Sequence, residues 1–336
     1  MLLEYLSILL GITTICYAAI PDNDARLELR GTVPYAPEKA ACPTTPIVRQ
    51  ASGLAAGEAQ YIGARKPIAN AALASWLKKI NPSFDTSSLP LIRFIGSGGG
   101  YRALLNEAGI LQAFDSRDSN SSVNGLYQAF SYHAALSGGG WFANSLAAWN
   151  WPTVSYLQKK VYEPNLQRGL LLPGGITAPV AYMQIVADVA AKLAAGYPVT
   201  PGDLYGRLLG YNLFPSPDGG AALTISGFTN SANFTAHRVP YPILTSIGTE
   251  ASSHGHCTAS PNATQYEYTP HEFGSWDRGV DSFVQVAYMG STLTNGTTKT
   301  GQCTTGFDKL DFVTASTSNV FGQYSSMGEL GIQDSR

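Results

Sequence analysis

The sequence has 336 residues, a formal net charge of −2 and 13% charged residues, against roughly 25% in an average soluble domain. This length allows one large domain or two small ones, and 44% hydrophobic residues are enough for a full core. The charge excludes a nucleic-acid partner, because phosphate binding needs a basic surplus or a basic stripe, and the sequence has neither.

The first 19 residues have the pattern of a cleaved export signal. An apolar core over residues 6–15 is followed by small residues, and cleavage is expected after Ala18 or Ala19. Glu4 stands where a positive charge is usual, and a membrane anchor is the alternative, but the run is short and interrupted by threonines. We therefore predict a signal peptide over 1–19 and a mature chain from residue 20 without a transmembrane segment.

Sequons and cysteines agree with export. The chain has three cysteines after the signal, and we expect Cys257 to pair with Cys303, which leaves Cys42 without a partner. No CxxC zinc spacing occurs, and His254 and His256 lie in a Gly- and Ser-rich loop, so we predict neither a metal nor a cofactor. We predict a secreted glycoprotein, extracellular or associated with the cell wall, with four Asn-x-Ser/Thr sequons, at Asn120, Asn233, Asn262 and Asn295.

In chain order, apolar periodicity predicts helices alternating with strands. Residues 20–50 are rich in Pro, Ala and Thr and are expected to form an extended surface arm. Alternation of strands and helices indicates an α/β domain with a largely parallel sheet. We predict helices over 69–80, 103–114, 141–149, 181–195 and 203–213, strands over 91–95, 242–247 and 283–289, and a segment at 126–136 that begins helical and ends as a strand.

Two glycine-rich turns follow apolar strands and open apolar helices. The first, at 96–100, presents bare backbone N–H groups at a helix start, where an anion binds well. A dinucleotide fingerprint fails because Tyr101 replaces its last glycine, and a P-loop fails because no Gly-Lys-Ser/Thr follows. The second turn places Ser137 in Ala-Leu-Ser-Gly-Gly, a relaxed G-x-S-x-G nucleophile turn; the alternative is a serine that only caps a helix.

Arg102 is a cation in the first turn of a helix, where it opposes the helix dipole. A bound anion would compensate, and so would an ion pair with Glu107 or another nearby carboxylate. We interpret Gly99 and Gly100 as donors to an oxyanion and Arg102 as a phosphate ligand. His133 precedes the serine by four residues, about 13 Å at strand rise, and is interpreted as a core histidine.

The two turns, in this order and spacing, resemble the fungal lysophospholipase (phospholipase B) family, which is related to the cytosolic phospholipase A2 catalytic domain and to patatin. The matching stretches are SGGGYRALLNEAGILQAFDSR, ALSGGGWFANSLAAWNWP, HEFGSWDRGVDSFV and CTTGFDKLDFVTASTSNVF. The resemblance implies a three-layer α/β fold and hydrolysis of acyl esters in phospholipids and lysophospholipids at a membrane or micelle surface. It implies a Ser–Asp dyad with Ser137 as nucleophile, Gly99 and Gly100 as oxyanion donors, and Arg102 on the phosphate.

The chain departs from the family pattern at the acid. The family's aspartate lies in an Asp-Gly-Gly motif near the end of a longer chain, so we expect residues 20–336 to correspond to the N-terminal part of the catalytic domain, with the C-terminal part missing. Asp218 stands in an Asp-Gly-Gly and is a candidate acid, although Asp-Gly is also a common turn dipeptide. Two alternatives stay open: an inactive relic without the dyad acid, and a Ser–His–Asp esterase that uses His271.

Overall fold

The computed structural model of the protein describes residues 35–167, 169–173, 178–248, 262–298 and 302–318. The predicted signal peptide, Cys16, His254, His256 and Cys257 lie outside these ranges. Within the ranges, no helix combines the length and the apolar character needed to cross a bilayer.

A seven-stranded sheet forms the centre of the described fold, in the order β2-β8-β7-β6-β5-β4-β3. Strands β3, β4 and β5 pair in parallel, and the other four pairings are antiparallel. Two small antiparallel pairs, β1 with β11 and β9 with β10, stand apart from it. The strands are β1 (Glu38–Ala41), β2 (Val48–Gln50), β3 (Ile92–Gly96), β4 (Phe130–Ala135), β5 (Tyr241–Ile247), β6 (Gln265–Tyr268), β7 (Glu272–Ser275), β8 (Ser282–Gln285), β9 (Leu293–Thr294), β10 (Thr297–Thr298) and β11 (Gln302–Thr305).

Helices precede, connect and follow the parallel strands. They are α1 (Ala56–Ile80), α2 (Gly100–Phe114), α3 (Leu126–Ala129), α4 (Ser137–Ala148), α5 (Val154–Leu157), α6 (Glu163–Leu166), α7 (Ala178–Ala194), α8 (Pro201–Leu213), α9 (Ala232–Thr235) and α10 (Leu310–Ser316). A π-helical turn (Gln158–Tyr162) joins α5 to α6, and 3₁₀ turns occupy Ser226–Asn230 and Val286–Tyr288.

Contacts from β4 reach helices on both faces of the sheet. The Tyr132 hydroxyl donates to Glu58 Oε1 of α1 at 2.8 Å, whereas the next residue, His133, pairs with Glu107 of α2. Successive strand residues point to opposite faces, so α1 covers one face and α2 covers the other. The predicted α/β class is confirmed, and the parallel order is found in the strands that lead into the two glycine turns; the antiparallel strands continue the sheet beyond them.

Helix α1 is longer than the sequence pattern predicts, since it begins at Ala56 rather than at residue 69 and contains Pro67. Its buried stripe crosses the proline, with Tyr61, Arg65, Ala69 and Leu73 at intervals of four. The buried Arg65 guanidinium donates to the carbonyl oxygens of Phe130, Gln128 and His237. These tertiary contacts hold the helix together through a residue that would break an isolated one.

The disulfide prediction is wrong, because Cys303 pairs with Cys42. Strand β1 lies antiparallel to β11 with Ala40 opposite Cys303, and the two cysteine Cα atoms are 4.9 Å apart. The predicted surface arm is therefore partly right: from residue 35 onward it is extended, but it also supplies strands β1 and β2, and the disulfide ties it to a position 261 residues away.

Helix α10 is fixed by a buried ion network. Arg207 of α8 donates to Asp311 of α10 at 2.9 Å and to Asp188 of α7 at 3.1 Å. Burial raises the pKa of Asp311, and the Arg207 guanidinium acts in the opposite direction. The network joins three helices. Thr317, which follows α10 directly, contacts the second glycine turn through a hydrogen bond from Ser137 N.

Candidate active site

The first glycine turn lies between the end of β3 at Gly96 and the start of α2 at Gly100. Gly99 and Gly100 have φ values of 137° and 63°, which side-chain-bearing residues rarely adopt. Their N–H groups bind no acceptor among the described residues. Because the first N–H groups of a helix lack partners within it, this turn can donate to an oxygen of a bound molecule.

The second turn carries Ser137, which follows β4 directly and begins α4. Its φ of 49° places a non-glycine residue in the left-handed region, at a cost of about 1–3 kcal/mol. The side chain is half-buried, and Oγ makes no hydrogen bond to a described residue. A strained strand-to-helix turn that leaves a serine hydroxyl unengaged is the geometry of a nucleophile elbow.

The two turns lie against each other. Ser137 Oγ is 3.3 Å from the position that a Cβ on Gly98 would occupy. A Cβ on Gly138 would lie 2.8 Å from Gly100 N. Backbone hydrogen bonds join the turns, from Gly139 N to Ser97 O at 3.0 Å and from Leu136 N to Gly96 O at 3.3 Å. The structure thus brings the predicted nucleophile and the predicted donor turn together, because β3 and β4 are neighbouring parallel strands that end at the same edge.

Glu107 lies beneath both turns, a position that the sequence analysis did not predict, since it named Glu107 only as a possible partner of Arg102. Its buried carboxylate binds His133 Nε2 at 2.8 Å, and its other oxygen, Oε2, has no partner among the described residues. A Cβ on Gly96 or Gly139 would overlap this carboxylate. The sequence contained an indication of this burial, because Glu107 falls on the apolar face of α2 between Leu104 and Ala108. The interpretation of His133 as a core histidine agrees with its burial.

Helix α10 holds the start of α4 from the other side. Ser137 N donates to Thr317 O at 2.9 Å, and Trp141 Nε1 donates to Ser318 Oγ at 2.7 Å. One turn further, Asn144 Nδ2 donates to Thr314 Oγ1 at 2.7 Å. The serine's own N–H is therefore engaged, whereas the Gly138 N–H has no described acceptor and is a further candidate donor that the sequence did not identify.

Arg102 is exposed, and its guanidinium makes no hydrogen bond or ion pair with a described residue. The alternative pairing with Glu107 is not found, because that carboxylate is buried against His133. Beside it, Tyr101 packs edge-on against Trp141 at 5.4 Å, and burial raises the pKa of Tyr101 to about 12. Arg102 is thus an unneutralised cation within one helical turn of the two glycine donors.

Neither proposed acid–base partner contacts the serine. The Asp218 carboxylate accepts from Ser216 Oγ and from Gly220 N within its own turn, and no described contact joins it to Ser137. His271 stacks on Tyr241, and its Nδ1 shares a hydrogen bond of 2.8 Å with the Tyr241 hydroxyl. Tyr241 begins β5, which runs parallel to β4, so His271 lies towards the end of the strands opposite Ser137. This position disfavours the Ser–His–Asp alternative.

Three of the four sequon asparagines, Asn120, Asn262 and Asn295, are exposed. Asn233 is half-buried, and its Nδ2 donates to Asn150 O at 2.8 Å, a bond that a glycan on this nitrogen would disturb.

Two cavities, of about 290 and 400 Å³, lie in the described part of the chain. Ser137 lines neither of them.

The chain was compared with known proteins. The family model "Lysophospholipase catalytic domain" matches residues 92–330. Lysophospholipase 1 of Candida albicans is 37% identical over 96% of this chain and 53% of its own length. Lysophospholipase 2 of Saccharomyces cerevisiae is 35% identical over 87% of this chain and 44% of its own length. The chain thus spans about half the length of these relatives.

Among solved structures, human GIVD cytosolic phospholipase A2 is similar with a TM-score of 0.64 at 19% identity, over 84% of this chain and 35% of that one. At this identity the likeness bears on the fold alone, and it agrees with the predicted three-layer α/β architecture. The sequence matches extend over both glycine turns and over most of the chain. The chain therefore belongs to the lysophospholipase catalytic domain family.

Proposed function

We propose that this protein hydrolyses acyl esters of lysophospholipids and phospholipids through an acyl-enzyme on Ser137. The observation that carries the proposal is the contact between the strained Ser137 turn, with its unengaged hydroxyl, and the Gly99–Gly100 turn, with its unengaged N–H groups. The relatives named lysophospholipases support the substrate class.

Each part of the site has a step in this reaction. Ser137 Oγ attacks the ester carbonyl carbon while its proton passes to a base, and the carbonyl oxygen becomes an oxyanion. The N–H groups of Gly99 and Gly100 hold that oxyanion, and losing one such donor costs about 10²–10³ in kcat in a comparable site. The proton then protonates the leaving glycerol oxygen, and water releases the fatty acid from Ser137.

Arg102 supports a phosphate-bearing substrate. An exposed guanidinium that pairs with no carboxylate in the described part of the chain is suited to bidentate binding of a phosphodiester. The base is an aspartate in the dyad that the family resemblance implies. Among the described residues no carboxylate contacts Ser137, so an inactive scaffold is the second candidate function that a measurement must separate.

The test compares the protein with Ser137→Ala in lysophosphatidylcholine hydrolysis and in labelling by a fluorophosphonate. Ser75→Ala, at an exposed serine of α1, is the matched control. We expect hydrolysis and labelling in the protein and in the control, and neither in Ser137→Ala. Equal rates with and without Ser137 would exclude the nucleophile, and an intact fold without labelling at Ser137 would favour the inactive scaffold.

Export and glycosylation are part of the proposal. The N-terminal apolar pattern and the exposure of Asn120, Asn262 and Asn295 support a secreted glycoprotein. Expression in a eukaryotic host, followed by endoglycosidase treatment of the medium, is expected to yield secreted protein that loses mass. Protein retained in the cytosol without glycans would exclude this localisation.

A further inference from the structure

A groove with no assigned role runs along α2, beside the candidate active site. It encloses about 400 Å³ between α2 and the segment 154–167, which includes the π-helical turn. Leu105 and Gly109 form its α2 wall, and Val154, Tyr162 and Leu166 line the opposite wall. We call it the α2 groove. Its volume lies within the range of small-molecule sites, and its apolar side chains suit a hydrocarbon. The polar residues Gln112, Gln158, Glu163 and Gln167 complete the lining.

Arg102 lies one helical turn before the first groove residue of α2, Leu105. Arg102, Leu105 and Gly109 stand at positions i, i+3 and i+7, so they share one face of the helix. At a rise of about 1.5 Å per residue, the groove follows α2 from Leu105 to Gln112 over about 10 Å along the helix axis. A negatively charged group on Arg102 would therefore stand on the same face of α2 as the groove, one helical turn before it.

Exposed apolar side chains also occur in the segment that follows the far wall in the chain. Leu105 is 50% exposed within the groove, and Leu171 and Leu172, which follow shortly after Leu166 in the chain, are 67% and 54% exposed. Gly109 leaves the channel open, because no atom lies within 4 Å of the point where its Cβ would stand.

We propose that the α2 groove holds the second acyl chain of a diacyl phospholipid while the ester of the first chain lies at Ser137. This inference rests on the proposed function, and it adds the place where the second acyl chain of a diacyl substrate lies. The phosphate on Arg102 fixes the glycerol unit between the two sites. One chain then meets the glycine turns, and the other follows α2. A monoacyl substrate leaves the groove empty.

Gly109→Phe tests the proposal because it fills the groove at a helical position with free space. Gly63→Phe on α1 is the matched control, since Gly63 is helical, exposed and has no atom within 4 Å of its Cβ position. In mixed micelles, we expect Gly109→Phe to lower kcat/KM for phosphatidylcholine by about tenfold or more, and to leave lysophosphatidylcholine hydrolysis within about twofold of the control. Leu105→Gln, which makes the wall polar without adding bulk, is expected to act in the same direction.

Equal losses on both substrates, or no loss on either, would overturn the proposal, and so would a wild-type protein that cleaves monoacyl substrates only. A binding measurement with uncleavable ether phospholipids keeps the test independent of hydrolysis. Gly109→Phe is expected to weaken binding of the dialkyl ether lipid and to spare the monoalkyl one. If the wild-type protein binds both lipids but cleaves no ester, the proposed function fails while the groove proposal is still decided by this comparison.

Discussion

Replacing Gly138 by alanine is expected to lower the turnover of the proposed hydrolysis about 10²-fold in a protein that still folds. A Cβ at this position would stand 2.8 Å from Gly100 N and nearer still to Gly100 O. Ordinary contact begins near 3.4 Å. The distance to the nitrogen is therefore 0.6 Å too short, and the distance to the carbonyl oxygen is shorter still. The two turns must therefore move apart by on the order of 1 Å, which is enough to misplace an attacking oxygen by two orders of magnitude in rate.

The fold should tolerate this change. Overpacking of this kind costs about 1–3 kcal/mol, against a total stability of about 5–15 kcal/mol for a typical domain. Gly63→Ala is the control, because the same substitution there meets open space within a helix and is expected to raise stability by up to about 1 kcal/mol.

The assay is lysophosphatidylcholine hydrolysis at saturating substrate, paired with thermal unfolding of each variant. A 10²-fold loss corresponds to about 2.7 kcal/mol of transition-state stabilisation. Activity of Gly138→Ala within about threefold of the wild-type protein would refute the reasoning that contact between the turns sets the reaction geometry. An unfolded Gly138→Ala with a normal Gly63→Ala would refute the estimate of the packing cost.

Three further predictions concern the phosphate ligand, the disulfide and a buried histidine. Arg102→Gln is expected to lower kcat/KM for lysophosphatidylcholine by about tenfold or more and to spare a neutral p-nitrophenyl ester, since only the first substrate carries a phosphate; equal effects on both would exclude phosphate binding. Cys42→Ser is expected to cost about 2–4 kcal/mol of stability, measured by denaturant unfolding, and dithiothreitol should then have no further effect; an unchanged unfolding midpoint would contradict the disulfide. Burial lowers the pKa of His271 in the folded protein below its usual 6.5. At a pH below about 6.5 the unfolded chain therefore binds more protons than the folded one, and stability falls as the pH drops. His271→Gln should flatten that dependence without loss of hydrolysis, and lost hydrolysis in a folded variant would revive the Ser–His–Asp alternative.

Much of the fold around the site could be predicted from local pattern. The strand at 91–95 and the segment that turns from helix to strand at 126–136 lie within one residue of β3, α3 and β4. Apolar runs bounded by glycines are strong signals because they reflect burial and turn geometry, which neighbouring residues decide. Helix α1 shows where this fails. Apolar spacing predicts a start at residue 69, but the helix begins at Ala56 and continues through Pro67. Buried contacts of Tyr61 and Arg65 hold this first part of the helix in place.

The disulfide and the acid show a different limit. No pattern near Cys42 reveals that its strand lies beside Cys303, since the pairing of β1 with β11 joins segments 261 residues apart. The Asp218 motif was a candidate for the acid, but its carboxylate accepts a hydrogen bond from Gly220 N within its own turn. Sequence identifies residue types, whereas partners that are distant in the chain are chosen by strand pairing and packing.

By itself the sequence determined the family, the α/β class and the residues of the two glycine turns, because these depend on short stretches whose conformation is set by glycine, serine and apolar spacing. Tertiary structure alone decided that Ser137 faces Gly98 and that Gly138 stands against Gly100. It also decided that Glu107 and His133 lie beneath the turns, and that Arg102 has no carboxylate partner among the described residues. These are contacts between β3, α2, β4 and α4, and they exist only after parallel pairing brings the ends of two strands to one edge of the sheet.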